Sequence, residues 1–79
     1  MSRKKYNVAV VGVTGAVGQE MLRVLEQRKF PVNQLLPLAS RRSTGKRVRF
    51  RKKSVTVREL KKDSFQDVDI ALFSAGGSI

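Results

Sequence analysis

The segment Tyr6–Lys29, YNVAVVGVTGAVGQEMLRVLEQRK, decides the fold of this chain. Its opening stretch, Tyr6–Val11, is a valine-rich and almost continuous apolar run, which is typical of a strand covered on both faces of a parallel sheet. Glycines follow at positions 12, 15 and 18. From Gln19 to Lys29, apolar residues recur at helical spacing and charged residues occupy the other face. The segment therefore predicts a strand, a glycine-rich turn and a helix in immediate succession.

Further strands are predicted downstream of this helix. Phe30 and Pro31 end the helix, because the residue before a proline disfavours the helical region. The stretch Leu35–Ser40 predicts a second short strand, in which Pro37 indicates an edge position or a strand start. The stretch Asp69–Ser74 predicts another strand of the buried type.

A β-hairpin is predicted between these two strands. Arg47–Phe50 and Ser54–Val57 alternate with a period of two residues around Arg51–Lys53, and we expect one helical turn within Arg58–Phe65. The fold class is α/β: a partial Rossmann-type parallel sheet made by a β-α-β unit, followed by a β-hairpin and a further strand. Because 79 residues are few for one domain and far too few for two, residues 1–79 are expected to form a single domain with a small core; its incompleteness is implied only by the resemblance described below.

The composition excludes several kinds of chemistry. The chain has no cysteine and no histidine, so we expect no disulfide, no metal site and no catalytic residue within it. No run approaches the roughly 20 apolar residues that cross a bilayer. The N-terminus lacks the pattern of a signal peptide. We therefore expect a cytoplasmic protein that does not enter a membrane.

The charge balance is strongly basic and uneven. Lysine and arginine total 17 against 6 acidic residues, a net charge of +11. Between Arg41 and Lys62 there are 11 basic residues and a single acid, Glu59. Such an excess indicates an anionic partner, either nucleic acid, a membrane surface or a phosphate-bearing small molecule. Charge alone does not choose among them.

The three glycines stand where a dinucleotide site needs them, between a strand and a helix. Gly12 can take a tight turn with backbone angles closed to other residues. Gly15 removes a side chain where a diphosphate must approach the backbone, and Gly18 lets the helix pack close to the strand. The amides offered at the helix N-terminus, where the dipole favours an anion, are those of Thr14, Gly15, Ala16 and Val17. The alternative is a purely structural turn.

A second signal is expected about 20 residues further on, at the end of the second strand. The residues there are Ser40, Arg41, Arg42 and Ser43. A carboxylate at this point would hold a ribose 2′-hydroxyl and favour NAD, but the segment contains none. Two arginines and two serines suit a 2′-phosphate and therefore NADP. The alternative is that both arginines belong to the generally basic surface.

A third signal follows the last predicted strand. Ser74, Ala75, Gly76 and Gly77 are small, and small residues at this point let a ligand reach the backbone at the carboxyl edge of a parallel sheet. Together with the first glycine turn, this places two small-residue loops on the same edge.

These motifs resemble those of a known enzyme family. VAVVGVTGAVGQEMLRVLEQRKFPV (8–32), LASRRSTGKRV (38–48) and DVDIALFSAGGS (67–78) are similar to the N-terminal, NADP-binding part of aspartate-β-semialdehyde dehydrogenase, over 7–79. The resemblance implies an oxidoreductase that reduces L-aspartyl 4-phosphate to L-aspartate 4-semialdehyde with NADPH. It also implies a place in diaminopimelate, lysine, methionine and threonine biosynthesis, and a homodimer or homotetramer.

The resemblance further implies a set of cofactor contacts. Backbone amides of the turn that begins at Gly12 would hold the pyrophosphate: Thr14, Gly15, Ala16 and Val17. The adenosine 2′-phosphate would lie among Ser40, Arg42 and Ser43. The residues lining the cofactor near the diphosphate and nicotinamide would be Ser74, Ala75, Gly76 and Gly77.

Some residues depart from the family pattern. The family's catalytic cysteine, histidine base and substrate-binding arginines lie beyond the equivalent of Ile79, so we expect this chain alone to be inactive. Lys52 stands in the hairpin turn, where the family often has glycine, and the basic excess around Arg47–Lys53 is greater than the resemblance implies. Two alternatives remain open. One is a small basic nucleic-acid-binding protein on a half-Rossmann scaffold, disfavoured by the scarcity of aromatic residues for base stacking. The other is a structural domain without a ligand.

Overall fold

A computed structural model describes residues 4–74 of the chain. The elements are β1 (Tyr6–Val11), α1 (Ala16–Gln27), β2 (Val32–Ala39), a 3₁₀ turn (Arg41–Ser43), β3 (Arg47–Phe50), β4 (Lys53–Thr56), β5 (Arg58–Glu59) and β6 (Ile70–Phe73). This order confirms the predicted α/β class, with a β-α-β unit, a hairpin and a further strand. Strand β5 is an addition that the sequence did not predict.

Four parallel strands form the sheet, in the order β5-β2-β1-β6. Within the central strand β1, Val8 lies opposite Leu35 of β2 on one side and Ile70 of β6 on the other. Strands β3 and β4 pair with each other in a separate antiparallel hairpin. Because β1, β2 and β6 run in the same direction, the loops that follow them meet at one edge of the sheet.

The core lies between the sheet and a layer formed by α1 and the hairpin. Val8 and Val10 of β1 are fully buried and belong to one apolar cluster with Leu22 of α1 and Phe50 of β3. The other buried members of the cluster are Val13, Leu25, Val32, Leu35, Ala39, Val48 and Val57. The opposite face is less covered, since Phe73 of β6 remains 62% exposed. The sole helix of the described part is too short and too polar to cross a membrane.

The helix begins earlier than the predicted Gln19, at Ala16, with Gly15 as its N-cap residue. The early start went unpredicted because Gly15 is not one of the polar residues that usually mark an N-cap, and no side chain caps this end. The three residues added to the helix bring its first turn directly to the end of β1.

The helix also ends earlier than the predicted Lys29, at Gln27. Lys29 takes a left-handed conformation with φ 53°. Its amide donates to the Glu26 carbonyl at 3.1 Å, and the Phe30 amide donates to the Leu25 carbonyl at 3.1 Å. These two bonds form a Schellman motif, in which glycine is the usual left-handed residue. With lysine in that position, the sequence carries no stop signal before Phe30.

Strand β2 extends further back than the predicted start at Leu35, and Pro37 lies inside it, opposite Val10. Alternate residues of a strand direct their hydrogen-bonding groups to opposite sides. The Leu38 carbonyl accepts from Gly12 on the β1 side, so Pro37 faces the other side, where pairing with β5 begins only at Leu38. Pro37 therefore occupies a locally unpaired flank, and its missing amide removes no ladder hydrogen bond.

The hairpin turn is shorter than predicted, because β4 begins at Lys53. Arg51 and Lys52 both have positive φ, 53° and 66°, which is the signature of a type I′ turn and is usually made by Asn-Gly. The Arg51 amide donates to the Glu26 carboxylate at 2.7 Å, and its guanidinium donates to the Phe30 carbonyl. The tip of the hairpin is thereby fastened to the C-terminal end of α1.

The prediction of one helical turn within Arg58–Phe65 was wrong. Arg58 and Glu59 instead extend the sheet as β5, opposite Leu38 and Ala39. The chain then returns to β6 through hydrogen-bonded turns, with no helix among residues 60–69.

Candidate functional site

The glycine turn after β1, the segment after β2 and Ser74 after β6 lie together at the carboxyl edge of the sheet. We call this the nucleotide edge; it comprises the glycine turn at 12–15, the first turn of α1, the segment 40–43 and Ser74. Three further predicted site residues, Ala75, Gly76 and Gly77, lie outside the described residues.

Gly12 is required by the fold itself. Its φ is +78°, and a Cβ there would lie 2.3 Å from the Ser74 hydroxyl oxygen. The Ser74 amide donates to the Val11 carbonyl at 3.0 Å, and its hydroxyl donates to the Gly12 carbonyl at 3.3 Å. The end of β6 therefore packs directly against the glycine turn. A side chain at position 12 would displace the Ser74 hydroxyl and would be strained by the positive φ.

Gly18 brings the start of α1 close to the backbone that directly follows β1; the sequence predicted close packing against the strand itself. A Cβ at this position would lie 2.3 Å from the Gly12 carbonyl oxygen and 2.6 Å from the Val13 Cα. Both neighbours are backbone atoms, which cannot move aside without displacing the turn. The nearby Gln19 side chain adds a further tie, because its amide donates to the Val13 carbonyl at 2.9 Å. Sequence reasoning did not single out Gln19.

Gly15 differs from both, because nothing in the fold demands a glycine there. Its φ is −78°, and a Cβ would meet only the Gly12 carbonyl, at an ordinary 3.6 Å. The residue is exposed and directly precedes the first turn of α1. A side chain would fit without strain and would project into the space in front of the helix. Glycine at this position keeps that space open.

The first turn of α1 offers unused backbone donors. The amide of Gly15 donates to the Gly12 carbonyl at 3.2 Å. Among residues 4–74, by contrast, no group accepts a hydrogen bond from the amides of Ala16 or Val17. No acidic side chain occupies this turn, and the Val17 side chain is 49% exposed. Free amides and the helix dipole together make this end of α1 suited to an anion.

The 3₁₀ turn brings the second predicted group to the same edge. Ser40 precedes the turn, and its carbonyl accepts from the Ser43 amide at 3.0 Å. Arg41 and Arg42 are exposed on the turn. The Thr14 hydroxyl donates to the Ser43 hydroxyl at 3.2 Å, so the glycine turn and the 3₁₀ turn are in direct contact. The sequence predicted a backbone role for Thr14 and missed this side-chain bond.

The pattern of the family described as semialdehyde dehydrogenase, NAD binding domain, matches residues 7–79. The chain belongs to the semialdehyde dehydrogenase family. The family resemblance inferred from the sequence is therefore confirmed, and the nucleotide edge lies in the family's NAD binding domain.

Relatives within this family share about half of the chain's residues. Aspartate-semialdehyde dehydrogenase of Legionella pneumophila is 56% identical over 73 residues, covering 92% of this chain and 21% of its own length. The enzyme of Aquifex aeolicus is 57% identical over 74 residues, covering 92% of this chain and 22% of its own length. This semialdehyde dehydrogenase family chain thus spans about a fifth of the length of these curated relatives.

A solved structure shows the same fold. The crystal structure of aspartate semialdehyde dehydrogenase II from Vibrio cholerae, complexed with ASA, superimposes with a TM-score of 0.87 at 53% identity. The match covers 94% of this chain and 24% of the Vibrio chain. The parallel sheet and the hairpin described above are therefore those of a semialdehyde dehydrogenase.

Proposed function

We propose that this chain binds NADP(H) at the nucleotide edge, as the cofactor-binding part of an aspartate-semialdehyde dehydrogenase. The observation that carries the proposal is the glycine that the fold does not need. Gly12 and Gly18 are demanded by backbone and side-chain contacts, whereas a Cβ at Gly15 meets no closer atom than one at 3.6 Å. Glycine at position 15 serves a ligand that must reach the backbone, and a diphosphate has the size and charge for that space.

Within this proposal, the cofactor contacts divide into three groups. The diphosphate lies against Gly12 and Gly15, whose amides donate to the Leu38 and Gly12 carbonyls. It accepts hydrogen bonds from the helix start, through Thr14, Ala16 and Val17. The 2′-phosphate is held by Ser40, Arg42 and Ser43, with the Arg42 guanidinium supplying a charge-assisted bond. The cofactor continues toward the nicotinamide along Ser74, Ala75, Gly76 and Gly77.

The preference for NADP over NAD follows from the charges at the second strand end. No carboxylate stands between Ser40 and Ser43 in the sequence, so the turn itself has no side chain that repels a phosphate or accepts from a ribose 2′-hydroxyl. Arg42 is exposed on the 3₁₀ turn, and none of residues 4–74 forms an ion pair with it. An unpaired guanidinium next to two hydroxyls suits a phosphate dianion.

The complete activity is proposed on family grounds. The enzyme would reduce L-aspartyl 4-phosphate to L-aspartate 4-semialdehyde with NADPH, in diaminopimelate, lysine, methionine and threonine biosynthesis. It would act in the cytoplasm as a homodimer or homotetramer. Residues 1–79 would form an incomplete cofactor-binding domain. NADPH would supply the hydride, and this chain would bind and orient the cofactor.

Titration calorimetry of NADP and NAD tests the cofactor assignment on the wild type and on Arg42→Ala. A charge-assisted hydrogen bond is worth about 1.5–3 kcal/mol, so the variant should bind NADP at least tenfold more weakly and NAD nearly unchanged. Arg41→Ala is the matched control, because it removes the same charge from the same exposed turn. Equal losses for the two cofactors would remove Arg42 from the 2′-phosphate site. Steeply salt-dependent binding of a DNA duplex, without NADP binding, would favour the nucleic-acid alternative.

A further inference from the structure

A strip of basic side chains leads away from the nucleotide edge along the hairpin. In β3, Arg47 and Arg49 alternate with the buried Val48 and Phe50, so both arginines project from the outer, solvent-facing side. Their partners on β4 are a threonine and a serine, which carry no charge. We define the basic strip as Arg41, Arg42, Lys46, Arg47 and Arg49, all of them exposed.

The charge of this strip is not neutralised by the chain. Within residues 4–74, the only ion pair closer than 4.0 Å joins Arg23 to Glu20, on α1. Glu59 is the one acid in the sequence between Arg41 and Lys62, and it makes no ion pair with the strip. An array of exposed like charges without counter-charges extends its potential into the solvent.

The basic strip starts at the proposed phosphate site and extends away from it along the hairpin. The Lys46 amide donates to the Ser43 carbonyl at 3.2 Å, so the hairpin starts at the 3₁₀ turn. Its tip is fastened to the opposite end of the molecule, where the Arg51 amide bonds Glu26. Arg49 lies about 6.8 Å beyond Arg47 along the strand, toward that tip. At physiological salt the field of an exposed charge falls off over a screening length of about 8 Å, so Arg47, next to Lys46, acts on an approaching phosphate more strongly than Arg49.

We propose that Arg47 and Arg49 steer the anionic cofactor toward the nucleotide edge without contacting it in the bound state. The proposal rests on the proposed cofactor function of this edge. A 2′-phosphate adds a charge of about −1.5 to −2 at neutral pH, so the field accelerates the capture of NADP(H) more than that of NAD(H). The preference for NADP(H) over NAD(H) then has two causes: the basic strip raises the association rate, and Arg42 contacts the bound 2′-phosphate.

Stopped-flow fluorescence of NADPH and NADH measures the association and dissociation rates directly. The double variant Arg47→Gln/Arg49→Gln should bind NADPH about threefold more slowly at about 0.1 M salt, with an unchanged dissociation rate. At about 1 M salt, where the screening length falls to about 3 Å, the variant and the wild type should associate at the same rate. The rate advantage of NADPH over NADH should shrink in the same way.

Arg28→Gln/Lys29→Gln is the matched control, because it also removes two exposed positive charges, at the C-terminal end of α1. Arg28 lies about 18 Å along the helix axis from the nucleotide edge, so this control should leave the association rate unchanged at about 0.1 M salt. An unchanged association rate in Arg47→Gln/Arg49→Gln would overturn the steering proposal. A faster dissociation rate alone would also overturn it, because it would reveal a direct contact. If neither cofactor binds the wild-type chain, the proposed function itself fails.

Discussion

The hydroxyl of Thr14 donates a hydrogen bond to the hydroxyl of Ser43 at 3.2 Å, although 29 residues separate them in the sequence. The bond joins the loop after β1 to the 3₁₀ turn after β2, and both groups are partly buried. It holds the proposed diphosphate and 2′-phosphate subsites at a fixed separation. A dinucleotide that bridges them therefore finds both ends of its site already arranged.

A double-mutant cycle measures this coupling. Thr14→Val and Ser43→Ala each remove one partner, and each should lower the free energy of unfolding by about 1 kcal/mol. The double variant should lose less than the sum, with a coupling energy of about 0.5–1.5 kcal/mol. Urea unfolding of the four proteins gives the cycle. Strict additivity would show that the two hydroxyls do not stabilise each other.

Gly15→Asp should separate cofactor binding from folding. Asp is at least as good an N-cap residue as glycine, so stability should be unchanged or higher by a few tenths of a kcal/mol. Its carboxylate would occupy the position proposed for the diphosphate and repel it, and NADP affinity should fall at least tenfold, about 1.4 kcal/mol. Thermal unfolding and calorimetry report the two effects independently.

Two further variants complete the Gly15 comparison. Gly15→Asn has the size and capping ability of Asp without its charge, so its loss of affinity should be smaller. Gly12→Ala should instead destabilise the fold by about 2 kcal/mol or more, because a Cβ there meets Ser74 and the positive φ becomes costly. Normal NADP affinity in folded Gly15→Asp would show that the diphosphate binds elsewhere.

Lys29→Gly should stabilise the chain. Lys29 holds a left-handed conformation, with φ 53°, that costs a residue with a Cβ about 1–2 kcal/mol and costs glycine almost nothing. Glycine is also more flexible in the unfolded chain, which offsets part of this difference. The free energy of unfolding should therefore rise by about 0.5–1 kcal/mol. The adjacent Arg28→Gly is the control, because Arg28 has φ −86° and should lose stability on the same change. A loss of stability in both variants would contradict the Schellman ending.

The chain by itself should not turn over substrate. It contains no cysteine and no histidine, so no thiolate can attack an acyl group and no imidazole can act as a base. A purified preparation should leave NADPH absorbance unchanged in the presence of aspartyl phosphate, and should form no NADPH from aspartate semialdehyde, phosphate and NADP. Turnover that purifies with the 79-residue chain would overturn this expectation.

The sequence correctly predicted the elements whose burial produces a regular pattern of apolar residues. The bounds of β1 followed from its continuous apolar run, and the hairpin followed from alternation. Strand β5 left no such pattern, because Arg58 and Glu59 join the sheet through backbone pairing with β2. The hairpin turn was placed one residue too long because Arg51 and Lys52 adopt positive φ without the usual Asn-Gly signal.

The candidate site was predictable where glycine and charge mark it. The spacing of the glycines located the turn, and the arginines located the second strand end. The sequence could not show which glycines the fold requires and which it does not, because that depends on distances to atoms from other elements. Gly12 touches Ser74, a residue 62 positions away in the chain, whereas a Cβ at Gly15 would meet nothing beyond its own loop.

Without a side chain at Gly18, the backbone of the first helical turn lies directly on the backbone of the turn that follows β1. A Cβ there would stand 2.3 Å from the Gly12 carbonyl oxygen and 2.6 Å from the Val13 Cα, so no side chain separates these two segments. The positions of the Ala16 and Val17 amides therefore depend on the backbone of residues 12–13. A smaller side chain at Leu25, further along the helix, should lower the free energy of unfolding more than it changes the spacing of these amides.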